Sequence, residues 1–282
     1  MFIKQHNKNQ YGIAEGFYIR NFTAHYAIPK DINEIYSTQD YDLFLENEQK
    51  NIEQKYPLID NEMIHHRDVI IISDGYNFSN LHKVLAKVPK SVAIIATNGA
   101  LKYWELLQSF SNTPRSITYY VVNNPYEECS DFLPDRHRYY PKCIASIRTN
   151  PDFLHGYSGL KYFYCPPETK DYSGINLKSS YKIDDYRNPI CASLGLAYKF
   201  GAKRILLFCC DEYFEDERPA AIQLENNLWC YPQQLKSNRI IDAYCHWFKK
   251  EKINIATTNN IKQDNLSYIK PQEEEILEFF NE

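Results

Sequence analysis

One texture recurs along this chain: a short unbroken apolar run, a polar turn, then an amphipathic stretch. Asp68-Val-Ile-Ile-Ile-Ser73, Ser91-Val-Ala-Ile-Ile-Ala-Thr97 and Ile117-Thr-Tyr-Tyr-Val-Val122 do not alternate with polar residues. That is the pattern of strands buried on both faces. Leu81, Val84, Leu85 and Val88 fall at helical spacing between the first two runs, and 100–110 reads as a second helix. Further on, the spacing predicts a helix over 190–200, with Asn188 as N-cap, Pro189 in the first turn and Gly201 just past its end. A strand over 203–208, a helix over 235–250, a strand over 252–257 and an acidic helix over 271–280 follow. Shorter strands are expected over 143–147 and 161–164, with Pro-rich loops around Pro151 and Pro166-Pro167. The alternation predicts an α/β fold: a doubly wound, mostly parallel, Rossmann-like sheet with helices on both faces. Right-handed crossovers then line up the strand C-terminal ends, and ligands of such sheets bind beyond that edge.

Composition excludes several classes. With 282 residues, 44% of them hydrophobic, the chain can bury a full core without disulfides or a structural metal. A net charge of −4 argues against a general nucleic-acid binder. No apolar run approaches the length of a membrane span, and Met1 to Gln10 is polar, so the expected location is cytoplasmic. Six of the eight cysteines stand alone and Cys209-Cys210 are adjacent. With no CxxC pair, buried thiols are expected rather than a zinc site. His246 is expected to pack beside Trp247.

Residues 1–66 are rich in Asn, Gln, Tyr and Asp and read as an N-terminal extension to a nucleotide-binding domain over 67–282. One helix is expected in the extension, around 41–54, with Leu43, Phe44 and Ile52 on one side, and no strand. The extension packs on the domain or forms a partner surface, including one between copies of the chain. The polar stretch 166–187 reads as a functional lid or a disordered loop.

What the strands present as they end is the functional signal. The first gives Asp74, Gly75 and Asn77, the second Asn98 and Gly99, the third Asn123 and Asn124. The later helix begins at Asn188, and the strand over 203–208 runs into Asp211 and Tyr213. Carboxamides supply both donors and acceptors, as a base, ribose or phosphate requires. Gly75 lies between strand and helix, where backbone amides receive phosphate. Asp211 stands where a carboxylate can hold Mg²⁺ beside a substrate phosphate, with Asp74 a second ligand or a ribose contact. Turn and cap formation is the alternative role for each of these residues.

The order of these pieces resembles a known group. Asp74-Gly75-Tyr76-Asn77-Phe78 takes the place of a Gly-x-Gly-Pro-Ser-Leu turn, and Ala96 to Lys102 is similar to an x-Asn-x-Ala-x-Lys turn. Tyr119 to Pro125 is similar to a strand ending in Asn-Asp-Pro, and Ala192 onward to Asp211 resembles the unit LAxxLGAKxIxLxGxD. Together they resemble the hydroxymethylpterin-diphosphokinase-like domain, related to bacterial motility accessory factors, and more distantly the bacterial CMP-sialic-acid sialyltransferases. The resemblance covers about residues 68–260. The first turn keeps one glycine and lacks the Pro-Ser pair. Tyr231 to Lys236 contains no histidine where the sialyltransferases have a general base, whereas Tyr213 matches a nucleotide-contacting tyrosine of that group.

The resemblance implies a nucleotide-dependent transferase. In one reading ATP lies across the strand ends with Mg²⁺ on Asp211 and Asp74, and a small hydroxyl acceptor attacks the β-phosphorus. The alternatives are a glycosyltransferase that uses a CMP-sugar, and a non-catalytic interaction protein that keeps the fold.

Overall fold

The computed structural model describes residues 3–4, 11–15, 25–29, 38–59, 65–73, 84–97, 99–102, 104, 115–133, 140–166, 169, 182–185, 188–210, 222–223, 229–230, 232–258, 266–270 and 272–281. Its centre is one eight-stranded sheet. Strands β4 (Asp68–Ile72), β5 (Ala93–Thr97), β6 (Tyr119–Val122), β7 (Lys142–Ser146) and β8 (Lys161–Tyr164) are laid down side by side. The chain then returns past its starting point to add β9 (Arg204–Phe208), β12 (Asn254–Thr257) and β13 (Ser267–Tyr268) beyond β4. Every pairing in this sheet is parallel. The order reverses between β4 and β9, where Ile72 lies opposite Phe208. The seven strands expected from the sequence are β4 to β9 and β12, each within two residues at either end.

Alternate side chains along each strand enter two separate cores. Val69, Ile71, Ile95, Val121 and Leu207 pack on one face with α3 (Pro189–Lys199) and α4 (Pro232–Lys250). Ile70, Ile72, Ile94, Tyr120, Val122 and Phe208 pack on the other with α2 (Pro151–Gly156) and α5 (Glu273–Asn281). Burial on both faces is why these runs show no alternation in the sequence. Of the segments expected as helices, 84–88 of the first (81–88) and 100–102 with 104 of the second (100–110) lie within the described residues. Within them Val84, Leu85, Val88, Ala100, Leu101 and Trp104 join the second core.

Helix α3 makes the return crossing and is buried along almost its whole length. Its ends are as the sequence predicts. The Asn188 side-chain oxygen accepts from the amides of Ile190 and Cys191, Pro189 opens the first turn, and Gly201 takes φ +78° just beyond the last turn. At the strand N-terminal edge, Asp68 and Arg204 face each other across β4 and β9 in a paired contact of 2.7 and 2.9 Å.

Four details depart from the sequence reading. The extension contains strands β1 (Ile3–Lys4), β2 (Tyr11–Glu15) and β3 (His25–Pro29), which form an antiparallel sheet with β3 beside α4. β1 has only two residues, and β2 (YGIAE) and β3 (HYAIP) lack the unbroken β-branched run that marks the central strands, so pairing with a neighbour defines them. Pro151, expected in a loop, opens α2, whose N-cap Asn150 accepts from the Phe153 amide at 2.9 Å. A short hairpin, β10 (Ile222–Gln223) with β11 (Trp229–Cys230), lies in a stretch read as loop. His246 is exposed, while Trp247 beside it is buried.

Helix α1 (Thr38–Glu53) joins the extension to the sheet. Its inward residues are Phe44, Asn47, Glu48 and Asn51, at helical spacing but mostly polar. Asn51 Nδ2 donates to the carbonyls of Ile147 and Thr149 at 2.8 and 2.7 Å. Asn47 Nδ2 donates to those of Pro125 and Arg148 at 2.9 and 3.2 Å. Glu48 Oε2 meets Arg148 Nε at 3.0 Å, both side chains almost fully buried, and the guanidinium lies 6.0 Å from the centre of the Phe44 ring. Beyond α1 the chain runs along β8: the Ile59 amide donates to the Phe163 carbonyl and the Phe163 amide to that of Pro57. The edge of the sheet is thereby covered.

Removing one member of a buried ion pair strands the other charge, at a cost of about 3 kcal/mol. Glu48→Gln is therefore expected to lower the unfolding free energy by about 3 kcal/mol in urea titrations. A loss below about 0.5 kcal/mol would mean that Arg148 finds equal solvation elsewhere.

Candidate functional site at the strand C-terminal edge

The strand ends converge on the side predicted from the right-handed crossovers. At β6, most of the described polar groups are already used in holding the turn. Thr149 Oγ1 donates to the Val122 carbonyl at 3.1 Å, and the Asn150 amide to that of Asn124 at 3.0 Å. The Asn124 side-chain oxygen accepts from the Tyr126 amide at 2.8 Å, and Asn47 occupies the Pro125 carbonyl. Asn124 thus serves its own turn. Asn123, directly after the strand, turns its carboxamide toward the neighbouring strand ends.

There it joins a buried hydrogen-bonded chain. Tyr164, the last residue of β8, donates its hydroxyl to Asp185 Oδ2 at 2.6 Å, and Asn123 Nδ2 lies 3.4 Å from the same oxygen. Ser146, the last residue of β7, and Asn123 both hydrogen-bond the Tyr164 phenol oxygen. Burial, then the adjacent Asp185 charge, pushes the phenol well above its ordinary range. Tyr164 is therefore a neutral donor at any physiological pH.

Asp185 is fixed from several sides. The Ile183 amide donates to the Cys165 carbonyl at 2.9 Å, and the Tyr244 hydroxyl to that of Asp184 at 2.7 Å. The Asn188 amide donates to the Asp185 carbonyl at 2.7 Å. A Cβ on Gly195 of α3 would come within 2.9 Å of Ile183, so a glycine there lets the 182–185 segment lie against the helix. Asn123 and Asn188, far apart in sequence, are both brought to Asp185. The Asn188 side-chain oxygen is meanwhile occupied in capping α3.

The other predicted site residues, Asp74, Gly75, Asn77, Asn98, Asp211 and Tyr213, lie outside the described residues, as does 170–181 of the expected lid. The strands that lead to them are adjacent: the Ser73 amide donates to the Phe208 carbonyl, and Thr97 Oγ1 to that of Ile72. Among the described residues, no group of three or more His, Cys, Asp or Glu side chains could hold a metal ion. Cys129, Cys143, Cys165 and Cys245 are buried thiols, and burial holds Cys165 up at about 12. Thiols so placed are not nucleophiles near neutral pH. None of the described helices is long and apolar enough to cross a membrane.

Ser146, Tyr164 and Asp185 were not singled out in the sequence. Extending the strand-end rule to β7 and β8 would have found the first two. Asp185 sits in the polar stretch read as a lid, and no local pattern marks it.

Cys209 carries a second local signal. It follows β9 at the reversal of strand order and has φ +53°, a left-handed conformation unusual for a side-chain-bearing residue. In the motif LAxxLGAKxIxLxGxD this position is the glycine before the final x-Asp. The backbone therefore takes the shape for which glycine is suited while carrying a buried thiol. The turn breaks the alternation, so that Phe208 and Cys209 enter the same core and Cys210 the opposite one. A left-handed residue with a Cβ costs about 1–2 kcal/mol. Cys209→Gly is expected to stay within about 1 kcal/mol of wild type, since relief of strain offsets the lost burial. Cys209→Val, β-branched and stiff, is expected to lose about 2 kcal/mol or more in the same denaturation assay. Equal stability of the two variants would contradict this reading.

No protein-family model and no curated protein matches this chain. Among solved structures the chain is similar to the MAf glycosyltransferase from Magnetospirillum magneticum AMB-1, with a TM-score of 0.61 and 14% identity over 85% of its length. It spans about two fifths of that structure, 41% of the neighbour's chain. At this identity the likeness is one of fold, and it agrees with the motility-accessory-factor-like architecture to which the sequence motifs point.

Proposed function

We propose that this chain is the donor-binding domain of a glycosyltransferase that uses a CMP-sugar. The observation that carries the reading is the buried chain Ser146–Tyr164–Asp185–Asn123, gathered from three strand ends and the approach to α3. It lies at the edge where doubly wound sheets bind nucleotides. The fold's likeness to a MAf glycosyltransferase favours sugar transfer over the ATP- and Mg²⁺-dependent diphosphokinase reading.

In this reading the donor nucleotide lies across the ends of β4, β5, β6 and β9. Asn123 contacts it from the described side, and Asp74, Gly75, Asn77, Asn98, Asn188 and Tyr213 complete the site. Asp211 and Asp74 would hold Mg²⁺ beside the donor phosphate if the reaction uses the ion. An acceptor hydroxyl oxygen bonds to the anomeric carbon as the bond from that carbon to the CMP oxygen breaks. CMP departs with the bonding electrons, and the acceptor proton passes to a base. The buried chain contributes by positioning, since holding two reactants in a reactive geometry supplies much of the rate.

The test is a melting-shift screen. CMP at about one hundred times its dissociation constant stabilises a single site by about 2.7 kcal/mol, or about 5 °C for a chain of this size. ATP, with or without Mg²⁺, is expected to move the midpoint by less than about 1 °C at the same concentration. Stabilisation by ATP and Mg²⁺ without a response to CMP would replace this reading with the diphosphokinase one.

A further inference from the structure

We infer that Asp185 and Tyr164 are positioning residues that lock the Asn123 carboxamide in one orientation, so that its oxygen faces the ligand and accepts a hydrogen bond from it. This rests on the proposed nucleotide site. A carboxamide can turn either end outward, and the two orientations select opposite ligand chemistry.

At this site the choice is made by the groups behind it. An ionised carboxylate accepts hydrogen bonds and cannot donate them. Asp185 Oδ2 takes the Tyr164 hydroxyl at 2.6 Å and faces Asn123 Nδ2 at 3.4 Å. Reversing the carboxamide would set its oxygen against that carboxylate in a buried site, where unpaired or opposed polar groups are costly. The backing pair cannot swing away. Tyr164 has no exposed surface, Asp185 keeps 5% of its own, and the 182–185 segment is tied to Cys165, Tyr244 and Asn188. Asn123 keeps 8% and is the most exposed member of the chain.

With its nitrogen turned inward, Asn123 offers an acceptor. The ligand must then bring a donor, either the 4-amino group of a cytosine base or a ribose hydroxyl. CMP, UMP and 2′,3′-dideoxy-CMP separate the two sources. A preference for CMP over UMP places the donor on the base, and one for CMP over its dideoxy analogue places it on the ribose. Equal affinity for all three would contradict a donor at either position.

The decisive measurement is a double-mutant cycle on CMP affinity by calorimetry. Tyr164→Phe keeps the ring and removes the hydroxyl, and Asp185→Asn removes the carboxylate's one-way demand for donors. Each is expected to weaken CMP about tenfold in the wild-type background and less than about twofold in an Asn123→Ala background. Melting curves establish that each variant is folded. A merely structural role would instead show equal losses in both backgrounds, and that result overturns the inference while leaving the nucleotide site intact. Absence of CMP binding by the wild-type protein overturns the nucleotide reading itself, and the inference with it.

Discussion

Parallel pairing makes the rest of this structure possible and also restricts it. Parallel strands need crossovers, the crossovers cover both faces of the sheet, and the covered strands must then be apolar on both sides. The consequence is visible in β4, where Val69 and Ile71 enter one core while Ile70 and Ile72 enter the other. Such a sheet has no free face on which to build a polar site. Chemistry is confined to the strand ends, and the reversal of order between β4 and β9 opens the C-terminal one.

Bringing polar groups to that edge creates a second demand, because backbone groups released at a strand end must find partners. Helix α1 meets part of it. Asn47 and Asn51 donate to four carbonyls in the turns after β6 and β7, and Glu48 neutralises Arg148 there. With those groups held, the end of β6 presents Asn123, and β7, β8 and the 182–185 segment supply the groups behind it. The same turns that end the strands thus bear the candidate site, and α1 works as part of the domain's framework.

The sheet was legible in the sequence because burial on both faces writes itself as unbroken β-branched runs. Helix α3 was legible because Asn188, Pro189 and Gly201 mark its ends by local chemistry. The docking face of α1 was legible only in part. Apolar periodicity points to Leu43, Phe44 and Ile52, of which Phe44 is buried and Ile52 packs against the second core, but the polar Asn47, Glu48 and Asn51 that share the buried stripe carry no such signal. Half of the Asn123–Asp185 pairing was legible, as an amide at a strand end. Asp185 was hidden, since its partner lies 62 residues away and a carboxylate in a polar stretch looks solvated. Cys209 was hidden for a related reason: the motif position is readable, but the need for a left-handed residue is a property of the backbone.

The central claim is that a nucleotide binds at the strand C-terminal edge, against Asn123 and beside the reversal of strand order. Amide chemical-shift mapping of the labelled protein during a CMP titration tests it most directly. The account predicts shifts concentrated at Asn123, Ser146, Asp185 to Asn188 and Cys209 to Cys210. Shifts centred on the opposite edge, at His66, Lys142 and Arg204, would contradict it.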